Sequence, residues 1–153
     1  MYLTYADYQN MGGTLDETTF NEFEFEAETV VNWYTFNRLK NETEYPPELS
    51  RCMYALIKLA KLKADAMMVG AQTTTTVDEE GHTTTVVTSP VIQSQSNDGV
   101  SIGYNIVSAT DVFKSLSITE KGGEIETLVQ RYLQGVVNSL GHRLLYRGLY
   151  PNE

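Results

Sequence analysis

The groups with which this chain could do chemistry are few: two histidines, His82 and His142, one cysteine, Cys52, and 20 carboxylates. Two histidines are too few for a histidine-rich metal site, and a lone cysteine forms neither an intrachain disulfide nor a cysteine-rich zinc site. His82 follows Asp78, Glu79 and Glu80 closely. That set could hold a cation weakly but supplies no closed ligand shell, and an exposed charged loop tip is the simpler reading. Cys52 falls inside an apolar helical pattern, which suits a small buried thiol better than a nucleophile. Many of the carboxylates cluster on one helix instead of pairing in an apolar pocket, the setting that tunes an acid and a base apart. The chain has no G-x-S-x-G elbow, no H-E-x-x-H, no P-loop and no G-x-G-x-x-G. The expectation is a protein with no catalytic site, no cofactor and no metal.

The bulk numbers agree with a protein built for contacts. A chain of 153 residues with 41% hydrophobic and 20% charged residues suits one domain with one core. Its net charge is −9 and its pI is near 4.7, so it should repel nucleic acid and anionic membrane. No apolar run approaches the ~18–20 residues of a membrane span, and the first residues lack the basic and apolar regions of a signal peptide. A cytoplasm-like compartment is expected. No basic stripe interleaved with aromatics marks a nucleic-acid reader, and the ten tyrosines are scattered.

The spacing of apolar residues then predicts the elements. Thr4 can cap a short helix that Gly12-Gly13 end. Thr14-Leu15-Asp16-Glu17 fits a capping box, and Phe20, Phe23, Ala27, Val30 and Tyr34 recur at helical spacing behind it. Glu22, Glu24, Glu26 and Glu28 lie mostly off this face, while Arg38 and Lys40 suit the negative end of the helix dipole. Pro47 is placed to start a second long helix, with Leu49, Cys52, Met53, Leu56, Leu59, Ala60 and Met67 on its apolar stripe. Arg51, Lys58, Lys61 and Lys63 make that helix basic. An acidic helix followed by a basic one reads either as antiparallel neighbours or as charged faces that meet between subunits, through Glu22, Glu26, Lys58 and Lys61.

Beyond Gly70 the helical period stops. Threonine runs around the tip 78–82 predict a β-hairpin. After Asn97-Asp98-Gly99, the alternation of Val100, Ile102, Tyr104 and Ile106 predicts a strand. A third long helix is expected to open at Thr119-Glu120, carry Ile125, Leu128, Val129, Tyr132, Leu133, Val136, Val137 and Leu140, and stop at Gly141. The fold class expected is therefore mainly α: a small bundle of three long helices and a short N-terminal one. In residue ranges, the helical body is 1–72 and 118–141, the β-rich insertion 73–107 and the C-terminal tail 142–153. The tail is apolar and aromatic with two arginines. Arg143, Leu144, Leu145, Tyr146, Arg147, Leu149 and Tyr150 either pack back on their own helices or dock on a neighbour.

Taken in order, these features resemble one family. They are Tyr2-Leu3-Thr4-Tyr5-Ala6-Asp7-Tyr8 through Met11-Gly12-Gly13-Thr14-Leu15, Phe20 with Phe23, Thr35-Phe36-Asn37-Arg38-Leu39, the helix led by Pro47, Gly99-Val100-Ser101-Ile102-Gly103-Tyr104, and Leu144-Leu145-Tyr146-Arg147-Gly148. In that order they resemble the head–tail connector, or adaptor, proteins of tailed bacteriophages. The resemblance implies a dodecameric ring in the virion neck, placed between the portal and a stopper or tail protein after assembly in the host cytoplasm. Double-stranded DNA would pass through the ring without sequence-specific binding, and no membrane is involved. The tail 142–153 would be the portal-binding arm, so deleting 143–153 is expected to leave a folded body that no longer binds portal. Segment 73–98 would be either a docking loop or a peripheral flexible loop. A stopper or tail terminator, and a small peptide-binding module, are the alternatives.

Overall fold

The computed structural model describes residues 1–69, 72–77, 83–88 and 108–149, with side chains described for 1–67 and 108–149. Among these residues the backbone forms five helices: α1 Tyr5–Asn10, α2 Glu17–Tyr34, α3 Pro47–Val69, α4 Ala109–Ser115 and α5 Glu124–Leu133. The mainly helical expectation holds. α2, α4 and α5 all pack against α3, or against a neighbour that does.

Local chemistry explains most of the boundaries. The Thr4 hydroxyl accepts the Asp7 backbone N–H at 3.1 Å and so opens α1. Gly12 has φ +89, and Gly13 approaches the Tyr8 ring so closely that a Cβ would lie 2.1 Å from it, so both positions require glycine. The Tyr8 hydroxyl accepts the N–H groups of Thr14 and Leu15 and finishes the turn. α2 is capped by Asp16, not by the Thr14 expected. Asp16 accepts the Thr19 N–H at 3.0 Å, and that bond holds its carboxyl below the usual range. Asp at the cap with Glu17 as the first helical residue also suits the positive end of the dipole.

The apolar faces of α2 and α3 are placed as expected. Phe20, Phe23, Ala27 and Val30 are buried with Val31, against Leu49, Cys52, Met53, Leu56, Ile57 and Ala60. Tyr5 and Tyr8 lie on Phe20, with ring centroids 5.4 and 4.8 Å away, and Tyr54 lies 5.7 Å from Tyr8. Cys52 is fully buried, and burial pushes its thiol up to about 12, which leaves it protonated and unreactive at neutral pH.

Three expectations change. First, α4 was not foreseen. Ser108 caps it by accepting the Asp111 N–H at 3.2 Å, and Ala109, Val112 and Phe113 enter the core, Phe113 meeting Phe23 at 6.2 Å. Second, the last helix is short. It begins at Glu124 behind Gly123 and ends at Leu133, because Gln134 is extended and Gly135 sits at φ +86. Val136, Val137 and Leu140 therefore belong to a tight reversal: Val137 bridges Arg143, the Leu144 N–H donates to the Val136 carbonyl, and Gly141 turns at φ +77. Third, Gln72–Val77 and Thr83–Thr88 pair antiparallel as β1 and β2, with Gln72 opposite Thr88 and Val77 opposite Thr83. A lone two-stranded ribbon is not a stable layer in water, so the inserted β-hairpin is not supported as part of the fold. The tip 78–82, the turn 97–99 and the strand expected over 100–106 lie outside the described residues.

Glu24 also departs from expectation. It is buried on α2, where its carboxylate accepts the Tyr2 and Leu3 backbone N–H groups at 2.7 and 3.4 Å. Alongside, the Tyr2 hydroxyl donates to Asn32, and the Met1 ammonium lies 2.6 Å from Glu28. Burial, with Glu28 and Tyr45 nearby, raises the Tyr2 phenol to about 12. Burial raises the Glu24 carboxyl above its ordinary value, and the two N–H bonds only partly oppose this. Between those two values the folded chain keeps a proton that the unfolded chain has lost, so this contribution falls as pH rises through that window. Thermal melts carried upward in pH from the ordinary glutamate range should therefore show the wild type losing stability relative to Glu24→Gln as pH rises. Parallel curves for the two proteins would exclude a raised carboxyl at Glu24.

Candidate interaction surfaces

α2 ends at Tyr34, and the chain leaves it through two residues in the left-handed region, Phe36 at φ 55 and Asn37 at φ 60. Asparagine tolerates that conformation, whereas phenylalanine adopts it at a cost of about 1–2 kcal/mol. The reversal turns Arg38 inward. Arg38 is only 9% exposed, so it does not sit in solvent at the helix end as a simple dipole partner.

Its guanidinium organises the C-terminal segment. Nη1 donates to the carbonyls of Arg143 and Leu144, each at 3.3 Å, and to that of Tyr146, while Nη2 donates to the carbonyl of Gly148 at 2.8 Å. The Arg38 guanidinium also lies 5.3 Å from the centre of the Phe36 ring. A planar cation with five donors can gather four carbonyls in this way, which a lysine ammonium cannot match. Leu144 anchors the same segment from its other side, fully buried in the core, and Leu145 packs at its edge.

The remaining tail residues face outward on this tethered backbone. Tyr146 is 49% and Leu149 86% exposed. Arg143 is exposed, and Arg147 reaches Glu126 at 3.9 Å. Glu126 is itself buried, accepting the Gly122 N–H at 2.6 Å and the Gln130 amide at 2.9 Å. A concavity of about 220 Å³ lies beside the segment, lined by Gln134, Gly135, Arg143, Leu145 and Tyr146. Tyr150 lies outside the described residues. The two sequence alternatives for the tail are thus divided residue by residue: Leu144 packs back, while Tyr146 and Leu149 are presented.

Against family models, curated proteins and solved structures, the chain finds no match.

The charged helix faces form the second surface. Glu22 on α2 and Lys58 on α3 are exposed, as the sequence predicted. Glu26 and Lys61 are occupied within the chain. Glu26 accepts the Thr110 hydroxyl of α4, and Lys61 pairs with Asp65 at 2.7 Å. Two residues that charge patterning overlooked stand out beside Glu22: Phe25, 67% exposed, and Trp33, 57% exposed. Their signal was present, since both fall off the buried α2 stripe yet are aromatic. Among the described residues no group of three or more His, Cys, Asp and Glu could hold a metal, and no helix is long and apolar enough to cross a membrane.

Proposed function

We propose that this chain is a non-catalytic structural component of a virion: a head–tail connector that forms a ring between the portal and the neck or tail proteins of a tailed bacteriophage. The observation that best supports the reading is the C-terminal segment. Tyr146 and Leu149 are presented to solvent from a backbone held by Arg38 and Leu144. Apolar and aromatic side chains on an ordered backbone lose little conformational freedom on docking, as a binding surface requires. The resemblance of the ordered sequence features to connector proteins supplies the partner, the portal.

In this reading the acidic chain contributes to a channel wall along which double-stranded DNA slides without the counterion release that drives tight binding. The polar threonine-rich segment 73–98 is then either a docking loop, suited to pairing with a partner strand, or a peripheral loop. The protein resides in the virion neck after assembly in the host cytoplasm.

Portal binding tests the proposal. Tyr146→Ser with Leu149→Ser should weaken co-sedimentation with the portal by about 30-fold or more. The melting temperature should hardly move, since exposed substitutions usually change stability by about 0.5 kcal/mol or less. Undiminished sedimentation with the portal would remove the tail from the interface. Absence of a ring around DNA in electron micrographs of the native neck would end the connector reading.

A further inference from the structure

Two outward stripes of this molecule are complementary and of equal length, and we infer that they bind each other between copies of the chain. Glu22, Phe25, Thr29 and Trp33 of α2 dock on Arg51, Ala55, Lys58 and Leu62 of α3 in a second copy. The inference rests on the ring reading above and deepens it by assigning the lateral contact.

The α2 residues recur at spacings of three, four and four and share one helix face, opposite the buried stripe. The α3 residues recur at four, three and four, again away from the core. Each stripe covers 11 residue steps, about 16 Å of helix. On α2 the centre is aromatic and one end acidic. On α3 two cations flank an alanine, and Leu62 is 58% exposed.

An exposed tryptophan and phenylalanine in line on one helix mark an interaction site more strongly than scattered apolar residues do. Charge complementarity selects the occupant. Arg51 and Lys58 can neutralise Glu22 and lie over the aromatic faces of Phe25 and Trp33, where a cation is attracted by the ring. Nucleic acid would meet the acidic end of the α2 stripe unfavourably. Where each copy offers its α2 stripe to one neighbour and its α3 stripe to another, the contact is heterologous and repeats until rotation closes it. Glu26 and Lys61, already engaged by Thr110 and Asp65, have no part in it.

The full chain can be tested directly, with its single tryptophan, Trp33, as reporter. In low salt, sedimentation should show concentration-dependent association, accompanied by a blue shift of Trp33 emission as the ring leaves water. Phe25→Ser and Trp33→Ser should each weaken association by about 30-fold, with circular dichroism confirming a folded chain. Glu22→Arg should weaken it about tenfold. So should a chain carrying Arg51→Glu and Lys58→Glu, and mixing these two disabled chains should restore association. A wild-type chain that stays monomeric at every concentration, or association indifferent to all these changes, overturns the inference. Portal binding separates the two proposals: a monomer that still binds portal defeats only this contact, whereas self-association without portal binding defeats only the connector reading.

Discussion

Replacing Arg38 with alanine should lower the free energy of unfolding by about 3–5 kcal/mol, as expected when several carbonyls lose a charged hydrogen-bond donor at once. For a chain of this size that corresponds to a fall of about 6–20 °C in melting temperature. The loss has two parts. The carbonyls of residues 143, 144, 146 and 148 lose a shared donor, and those kept from water bear a desolvation cost. The side chain's packing between the α2 turn and the tail is lost as well. Arg38→Lys should recover only part of the stability, since an ammonium is a compact charge without the planar fork. A melting temperature for Arg38→Ala within about 2 °C of wild type would correspond to less than about 1 kcal/mol and would refute the clamp.

The second large effect concerns the tail. Removing residues 143–153 should abolish the cooperative melt, whereas the sequence alone predicts a folded body that has lost only portal binding. The truncation deletes Leu144, whose replacement by alanine should already cost about 2–5 kcal/mol at a fully buried site. It also strips the Arg38 guanidinium of the carbonyls that neutralise its burial. Together these approach the entire 5–15 kcal/mol of a typical domain. The two losses share one segment, so the Arg38→Ala, Leu144→Ala double variant should fall short of the sum of the single variants. A truncated chain with a sharp melt near the wild-type temperature would show that the tail is dispensable to folding.

What was legible in the sequence was whatever local spacing dictates. Phe20, Phe23, Ala27 and Val30 on α2, and Leu49, Cys52, Met53 and Leu56 on α3, announced their buried faces through the helical period. Pro47 and the Gly12-Gly13 pair announced their boundaries through backbone restriction. The last helix was overextended because apolar residues kept helical spacing beyond Leu133. The period of side chains carries no information about the left-handed backbone at Gly135. α4 was overlooked although Ser108 and Asp111 stand at capping distance, because about two turns of helix are too short for periodicity to register.

The candidate surfaces were legible in part. Charge patterning found Glu22 and Lys58 but could not say that Glu26 is engaged within the chain, since Thr110 lies 84 residues away, whereas the Lys61–Asp65 pair at i,i+4 was open to a local reading. Arg38 was invisible as a clamp for the same reason. Its helix ends through Phe36 and Asn37 with neither glycine nor proline to signal it, and every carbonyl it gathers comes from the opposite end of the sequence.

That distance has a consequence for how the molecule comes together in time. The Arg38 contacts span 105 to 110 residues, among the longest separations in the fold. Closing so large a loop is entropically unfavourable until the intervening helices have condensed. As the chain is synthesised, α2 and α3 can assemble early, while the guanidinium stays hydrated until residues 143–148 have left the ribosome. The apolar surface beneath Leu144 stays open over the same interval, which exposes the partly made chain to aggregation until that side chain docks.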